Sequence, residues 1–539
     1  MAKRYRPVRR DQRFLLPPDM GDWLPADHPV WLVITVVADH LDTSAFHAGR
    51  RTGGAGAAGY DPDMLITLLV WAYANGMTSS RRIEAACRTD VAFAVICALD
   101  VPDHVTIARF RAAFGEAAAA LFTQVLILCA RLGMGQIGTV ALDGTKITAS
   151  ASKAANRTEA KLAELAAAAV AAHAAADAAQ DARFGEGQRG DRVPPGSSGG
   201  SRGERIAAAL ASLAAERAAA AQAGQAKAET FRARLAAGQA TGPAPAAAQV
   251  ELARERLARA EAAQQAKIAA RDASDAAALA AGRRIYQGSC RPRPQTGPVA
   301  RARAKLERAE ARAAERERRA AAARGPGPVR NITDPDSRLM PTRAGFIQGY
   351  NPQNVTSEDL LIIATELTTG TTDSEWFEPM LRKAQHAAAL ITAHHPPSQP
   401  ATGASETTGI ELILADAGYL SEHNLTTSGP DRLIATGKNR GLRHTAADPR
   451  RSGGTANGPA VQAMAARLAT PAGITTYRQR GHIAETPHGH IKHNMRFRQL
   501  SVRGKPKAAA EWTFICTVHN LAKAITTGHL TRHTLATLS

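Results

Sequence analysis

Thr139-Val140-Ala141-Leu142-Asp143-Gly144 decides how this 539-residue chain is read. It is a short apolar run that ends in an acid and a glycine, which fits a buried strand closed by a turn. A second run of the same form lies far downstream, at Glu411-Leu412-Ile413-Leu414-Ala415-Asp416-Ala417-Gly418. Leu360 to Thr365, Arg432 to Thr436 and Trp512 to Cys516 are further candidate strands, and Asp373-Ser374 could cap a helix through Met380 to Ile391. Strands alternating with helices imply an α/β sheet covered by helices. The simplest inference from the isolated first strand is one α/β domain, 137–156 plus 329–539, whose sequence is interrupted at 157–328.

The interruption has its own texture. Residues 157–328 are rich in Ala, Arg, Glu and Gln, and segments such as Glu251 to Leu257 and Arg301 to Arg319 are strong helix formers with close-spaced opposite charges. Alanine seams bury little area, so long, paired, thinly packed helices of coiled-coil type are expected, with a flexible Gly/Pro/Ser segment at 185–203. A spacer or clamp without chemistry is the simpler role for them. Residues 1–136 read as short helices. Asp61-Pro62 is a helix start and Gly76 a stop; Ser79 or Ser80 opens a second helix towards Phe93, and Pro102-Asp103-His104 a third. Arginines near these starts suit an all-α, helix-turn-helix-like module, although an ordinary bundle with a charged face has the same pattern.

Lys plus Arg number 67 against 48 for Asp plus Glu, a net charge of +19 that favours a polyanionic partner. The five cysteines are scattered, without a C-x-x-C pair, which argues against a disulfide framework and a cysteine zinc site. No apolar core follows the basic N-terminus, and no apolar run reaches the roughly 18–20 residues of a membrane span. A cytoplasmic protein with no membrane partner is expected.

Chemistry is carried by acids. An aspartate at the carboxyl end of a buried strand costs free energy unless paired or metal-bound, and that end of an open α/β sheet is where ligands sit. Either aspartate alone could be a turn former; two alike in one domain favour the ligand reading. A third acid, Glu485, stands seven residues before Lys492, so both would project from one helix face, with the helix beginning beside Glu485 because Pro487 fits best in a first turn. A metal-binding carboxylate beside a lysine suits phosphoryl transfer.

With these residues in place, the chain resembles the bacterial insertion-sequence transposases of the DDE class that carry a Tyr-Arg-Glu-Lys box on a ribonuclease H-like fold. The likeness runs through Asp11-Gln12, Leu15 to Pro18 and Trp23-Leu24-Pro25, then Tyr60-Asp61-Pro62, Ser79 to Glu84 and Pro102 to Ile107. It continues through Asp143-Gly144-Thr145-Lys146-Ile147, Thr333 to Ser337, Gly349-Tyr350-Asn351-Pro352-Gln353 and Ala415 to Tyr419 to Glu485 and Lys492. The resemblance implies that Asp143, Asp416 and Glu485 bind Mg²⁺, with Mn²⁺ as a substitute, and catalyse DNA strand cleavage and strand transfer. It implies that Tyr477, Arg480 and Lys492 contact the DNA ends, with Lys146, Arg81, Arg82, Arg109 and Arg111 as further DNA-binding residues. Double-stranded DNA, both transposon ends and target, is the expected partner, with a homodimer or higher assembly on it. The box departs from the strictest family spacing: four residues separate Arg480 from Glu485, and His488 stands where an aromatic residue is common.

Other constellations are weaker. His482, His488, His490 and His493 crowd around Glu485, but His-Glu-x-x-His is absent. Asp334 and Asp336 read as turn acids, in reserve should Asp143 prove misplaced. Gly53, Gly54, Gly56 and Gly59 precede no Gly-Lys-Ser/Thr, so ATP use is not expected. The rival readings are a catalytically inactive, transposase-derived DNA-binding protein and a helical scaffold.

Overall fold

Alternation along three strands builds the core. In β1 (Thr139–Gly144), β8 (Leu412–Ala415) and β9 (Asp431–Ile434), Val140, Leu142, Ile413, Ala415 and Ile434 join one hydrophobic cluster, while Ala141, Leu414 and Leu433 join another. A sheet whose strands are apolar on both faces must be covered on both. Met464, Leu468, Tyr477, Ile483 and Ala484, from helices Pro459–Ala469 and Pro471–Gly489, cover one face. The other carries helices Ala117–Arg131, Phe377–His394 and Lys505–Thr526.

The computed structural model describes residues 19–48, 59–184, 202–239, 244–285, 297–323, 328–342, 344–396, 409–437 and 458–538. Residues 11–18 of the opening motif, 185–201 of the Gly/Pro/Ser segment, Gly53, Gly54, Gly56 and Cys290 lie outside them. The chain is mostly helical with a mixed sheet, and it divides into two units, Met1–Ala155 with Thr333–Ser539, and Asn156–Ile332.

In the first unit β1 pairs β8 in parallel and β8 pairs β9 in parallel, while on its other side β1 pairs antiparallel with β6 (Gly345–Ser357). β6 also pairs antiparallel with β7 (Ile362–Thr368), and its first half holds the short strands β2 (Ile147–Thr148) and β5 (Arg338–Thr342). The path is thus β7-β6-β1-β8-β9, with β1 in the middle. β6 is not apparent from hydropathy, because Asn351, Gln353, Asn354, Thr356 and Ser357 are polar yet fully buried along it.

Trp512 to Cys516, expected as a strand, lies inside the helix Lys505–Thr526. Gly504, at φ 84°, and Pro506 open that helix, and almost every side from Ala510 to Leu521 is buried. A run buried all round has no amphipathic period to separate helix from strand. The helix bearing Glu485 likewise begins at Pro471 rather than beside Glu485 and runs through Pro487 to Gly489.

The N-terminal helices form as their caps predict. Asp61 accepts from Asp63 N at 2.9 Å ahead of Pro62–Ala74, and Gly76 ends that run at φ 70°. The second expected helix is two, Ser80–Thr89 and Val91–Ile96, because Asp90 turns out to cap the latter by accepting from Ala92 N at 2.9 Å. Asp103 caps His104–Ala112. These helices share the core of the sheet: the Phe514 ring lies 4.6 Å from that of Phe114 and 5.7 Å from that of Tyr73. Arg111 is part of this junction and does not reach the surface as a DNA contact would need. It is 6% exposed, donates to Tyr73 Oη at 3.0 Å, Thr78 O at 2.8 Å and Ser80 Oγ at 3.1 Å, and lies 3.7 Å from the buried Glu511 carboxylate. Arg81, Arg82 and Arg109 are exposed.

The second unit consists of helices Glu159–Phe184, Arg202–Ala236, Ala246–Ala280 and Gly297–Ala323, entered and left through the strand pair β3 (Asn156–Thr158) and β4 (Val329–Asn331). A small cluster of Leu162, Ile206, Ala209 and Leu213 fills the packing of its first two helices. Ion pairs such as Arg254–Glu310 at 3.1 Å and Arg303–Glu261 at 3.2 Å join the last two. Among the described residues no single helix is long and apolar enough to cross a membrane.

Candidate active site

The β1–β8 register pairs Leu142 with Ala415, so the next residues, Asp143 and Asp416, stand side by side where two central parallel strands end. Neighbouring strands are about 4.8 Å apart. Asp143 shares a parity with Ala141 and Asp416 with Leu414, and Asp416 is still extended (φ −81°, ψ 176°), so both carboxylates face the helix Pro471–Gly489. Burial raises the Asp416 pKa above the ordinary carboxylate value, and Asp143 raises it further, while the Gly418 N–H (2.8 Å) and Arg480 pull it down. A carboxylate whose charge is disfavoured by burial and by a neighbouring acid calls for a cation.

Arg480 supplies one. It is 16% exposed; its Nη1 lies 3.8 Å from Asp143 Oδ2 and its Nη2 donates to Glu485 Oε1 at 3.3 Å. Glu485 is therefore tied to the aspartate pair through a guanidinium rather than gathered with it, and its side chain is 66% exposed. The five-residue step from Arg480 explains this. Ala484, one turn beyond Arg480, takes the inward position and is buried, which leaves Glu485 at the helix rim. Tyr477, expected at the DNA, is instead packed under β8 with its hydroxyl donating to Ala415 O at 3.1 Å. Lys492 reaches across to the turn between β1 and β2, donating to Thr145 Oγ1 and, at 2.9 Å, to Lys146 O.

Several residues around the acids carried no signal as site residues. Asn354, paired with Asp143 in the β6 register, donates from Nδ2 to His488 Nε2 at 3.2 Å, and His488 Nδ1 lies 3.8 Å from Asp143 Oδ2. Tyr419, just past Asp416, donates from its buried hydroxyl to Gln353 Oε1. Asp373 sits beside both glycines that follow the two aspartates. Of the other histidines, His490 meets His519 at 2.9 Å and His493 meets Arg498 at 3.1 Å. The reserve acids are structural: Asp334 accepts from Tyr350 Oη at 2.9 Å and Asp336 from Lys505 N at 2.8 Å.

Asp143 and Asp416 fit a hard divalent ion: both offer carboxylate oxygens from adjacent strand ends, and burial and the neighbouring Asp143 raise the Asp416 pKa. Glu485 does not close the set in this arrangement. Among the described residues the group of three acid or histidine ligand atoms lying within 4.8 Å of one another is His47, Asp61 and Asp63, on the N-terminal helices.

Two family descriptions match the chain. A transposase domain (DUF772) matches residues 18–113, and a transposase DDE domain matches 450–525, the stretch with Tyr477, Arg480, Glu485 and Lys492. No curated protein and no solved structure gives a significant match. Both matched regions are transposase domains, the second of the DDE type. They support an insertion-sequence DDE transposase, and transposase DDE domains generally use divalent metal ions.

Proposed function

We propose that this protein is an insertion-sequence transposase that binds the ends of its element and performs Mg²⁺-dependent strand cleavage and strand transfer on DNA. One observation carries the reading: Asp143 and Asp416 end adjacent parallel strands at the middle of the sheet, in a chain that matches transposase domains on either side of them. The path β7-β6-β1-β8-β9, with β6 alone antiparallel to its neighbours, supports a ribonuclease H-like catalytic domain.

Asp143 and Asp416 would hold the divalent ion, with Glu485 as third acid. A bound ion supplies charge that activates the attacking oxygen and stabilises the leaving one in phosphodiester displacement. For Glu485 to join, the Arg480 guanidinium must leave the space between it and Asp143, and a DNA phosphate is the natural competitor for an arginine. Arg480 is thus a latch that pairs with acid in the free protein and with phosphate in the complex. Lys492 and Lys146 lie on the same side of the strand ends and add positive charge for the backbone. Exposed Arg81, Arg82 and Arg109 supply sequence-independent affinity that weakens with salt.

Strand cleavage tests the reading. Duplex DNA taken from both flanks of the reading frame is incubated with wild-type protein, Asp143→Asn and Asp416→Asn. The proposal requires nicking by the wild type in Mg²⁺ and none in chelator, and neither variant should cut while both still bind. Equal nicking by Asp143→Asn would remove the triad.

A further inference from the structure

Asp373 precedes the 3-10 turn Ser374–Trp376 in the cap position, yet its carboxylate makes no capping hydrogen bond there. An aspartate in that position ordinarily stabilises a helix start by accepting from its first free N–H groups, and here it does not. The carboxylate turns to the sheet instead. Its Oδ1 accepts from Asn351 Nδ2 at 2.7 Å and Gln353 Nε2 at 2.8 Å, and lies 3.8 Å from Lys146 Nζ. Asn351 and Gln353 are fully buried on β6, and Gln353 is the register partner of Gly144.

Both glycines after the aspartates are needed to admit this acid. A Cβ on Gly144 would lie 2.5 Å from Gln353 Nε2 and 2.9 Å from Asp373 Oδ1; one on Gly418 would lie 3.0 Å from Asp373 Oδ2. The same network reaches Tyr419 through Gln353, and so fixes the turn behind Asp416. Lys146 stands in the turn after β1, three residues past Asp143, and Asp373, Asp416 and Asp143 all attract its ammonium. Asp373 is the only one of these acids within 4 Å of it among the described residues.

We propose that Asp373 is a positioning residue: it anchors the Lys146 ammonium beside the Asp143–Asp416 pair, where Lys146 takes a non-bridging oxygen of the DNA phosphodiester. The proposal rests on the strand-cleavage reading for its substrate, but the placement of Lys146 is testable without DNA or metal. Asp373 differs from the triad in acting through a lysine rather than through an ion.

The full-length protein is treated with acetyl N-hydroxysuccinimide, and the acetylation rate of Lys146 is read by mass spectrometry with exposed lysines as internal standards. Loss of the anchor in Asp373→Asn should raise the Lys146 rate several-fold, and Asp373→Glu, which keeps the charge, should restore part of the protection. An unchanged Lys146 rate in Asp373→Asn overturns the proposal. If Asp373→Asn melts far below the wild type, the comparison of Asp373→Glu with the wild type decides, and loss of all protection in the glutamate variant counts against the anchor. In the cleavage assay Asp373→Asn and Lys146→Gln should each slow nicking by up to about 10²-fold, the scale of a misplaced reacting group. The double variant should be no slower than the slower single; multiplied effects would show that Asp373 acts elsewhere. Failure of the wild type to cleave at all would count against the transposase reading, while the acetylation result still decides whether Asp373 holds Lys146.

Discussion

Replacing Arg111 by Met separates a structural arginine from a DNA contact. Arg111 and Glu511 are 6% and 0% exposed, and the guanidinium also serves Tyr73, Thr78 and Ser80. Removing one partner of a buried pair costs about 3–5 kcal/mol, because the other charge stays buried. Glu511 would keep donors from Tyr73 Oη at 3.1 Å and Ser501 N at 2.8 Å, so the lower end, about 3 kcal/mol, applies. Unfolding entropy is about 2.1 cal/mol/K per residue. For the first unit, roughly 360 residues, the loss becomes a fall in Tm of about 4 °C. The exposed Arg109, changed in the same way, should move Tm by less than about 1 °C. Differential scanning calorimetry reads the stability, and DNA binding as a function of salt reads the contact. Arg111→Met should melt low with an unchanged salt slope. A variant that melts like the wild type, with a shallower salt slope, would refute the reasoning.

Asp416 gives a pH prediction. Burial and Asp143 raise its folded pKa above the unfolded value of 3.8, so the protonated form favours folding. Its contribution is fully present below that unfolded value and is lost as pH rises through the folded one. In chelator, Asp416→Asn should therefore be more stable than the wild type at neutral pH, by thermal melting, with a flatter profile across that window; a less stable variant would contradict the burial argument. Gly418→Ala would bring a Cβ to 2.9 Å from Asp416 Oδ1 and should depress strand cleavage with little change in DNA binding; undiminished cleavage would show that the turn can yield. Tyr477→Phe leaves the Ala415 carbonyl without its side-chain donor and should cost about 1 kcal/mol by denaturant unfolding. An unchanged midpoint would mean that the carbonyl finds another partner.

The sheet was legible where apolar strands end in an acid. β1 and β8 sit side by side although the 156–332 unit separates them in sequence, because the same alternation of Ala141 and Leu414 against Val140 and Ile413 gives both a place in one core. β6 was not legible as a strand. Its buried Asn351, Gln353 and Asn354 read as loop by hydropathy, and Pro352 argues against a strand interior. For the same reason Asp373 looked like a helix cap: what it holds lies on that unread strand. The histidines and Tyr477 show the limit of helical spacing, which fixes a face but not which side of it meets protein. Arg109 and Arg111 point to different sides of their helix, as their spacing requires, yet only the fold shows that one of those sides is core.

On the proposed reading, the aspartates at the ends of β1 and β8 share a divalent ion. Mn²⁺ binding followed by electron paramagnetic resonance, with and without flanking DNA, tests it most directly. Asp143→Asn and Asp416→Asn should each lose most of the bound signal, whereas Glu485→Gln should weaken it mainly when DNA is present and Arg480 has been drawn away. Undiminished Mn²⁺ binding in both aspartate variants would contradict that reading.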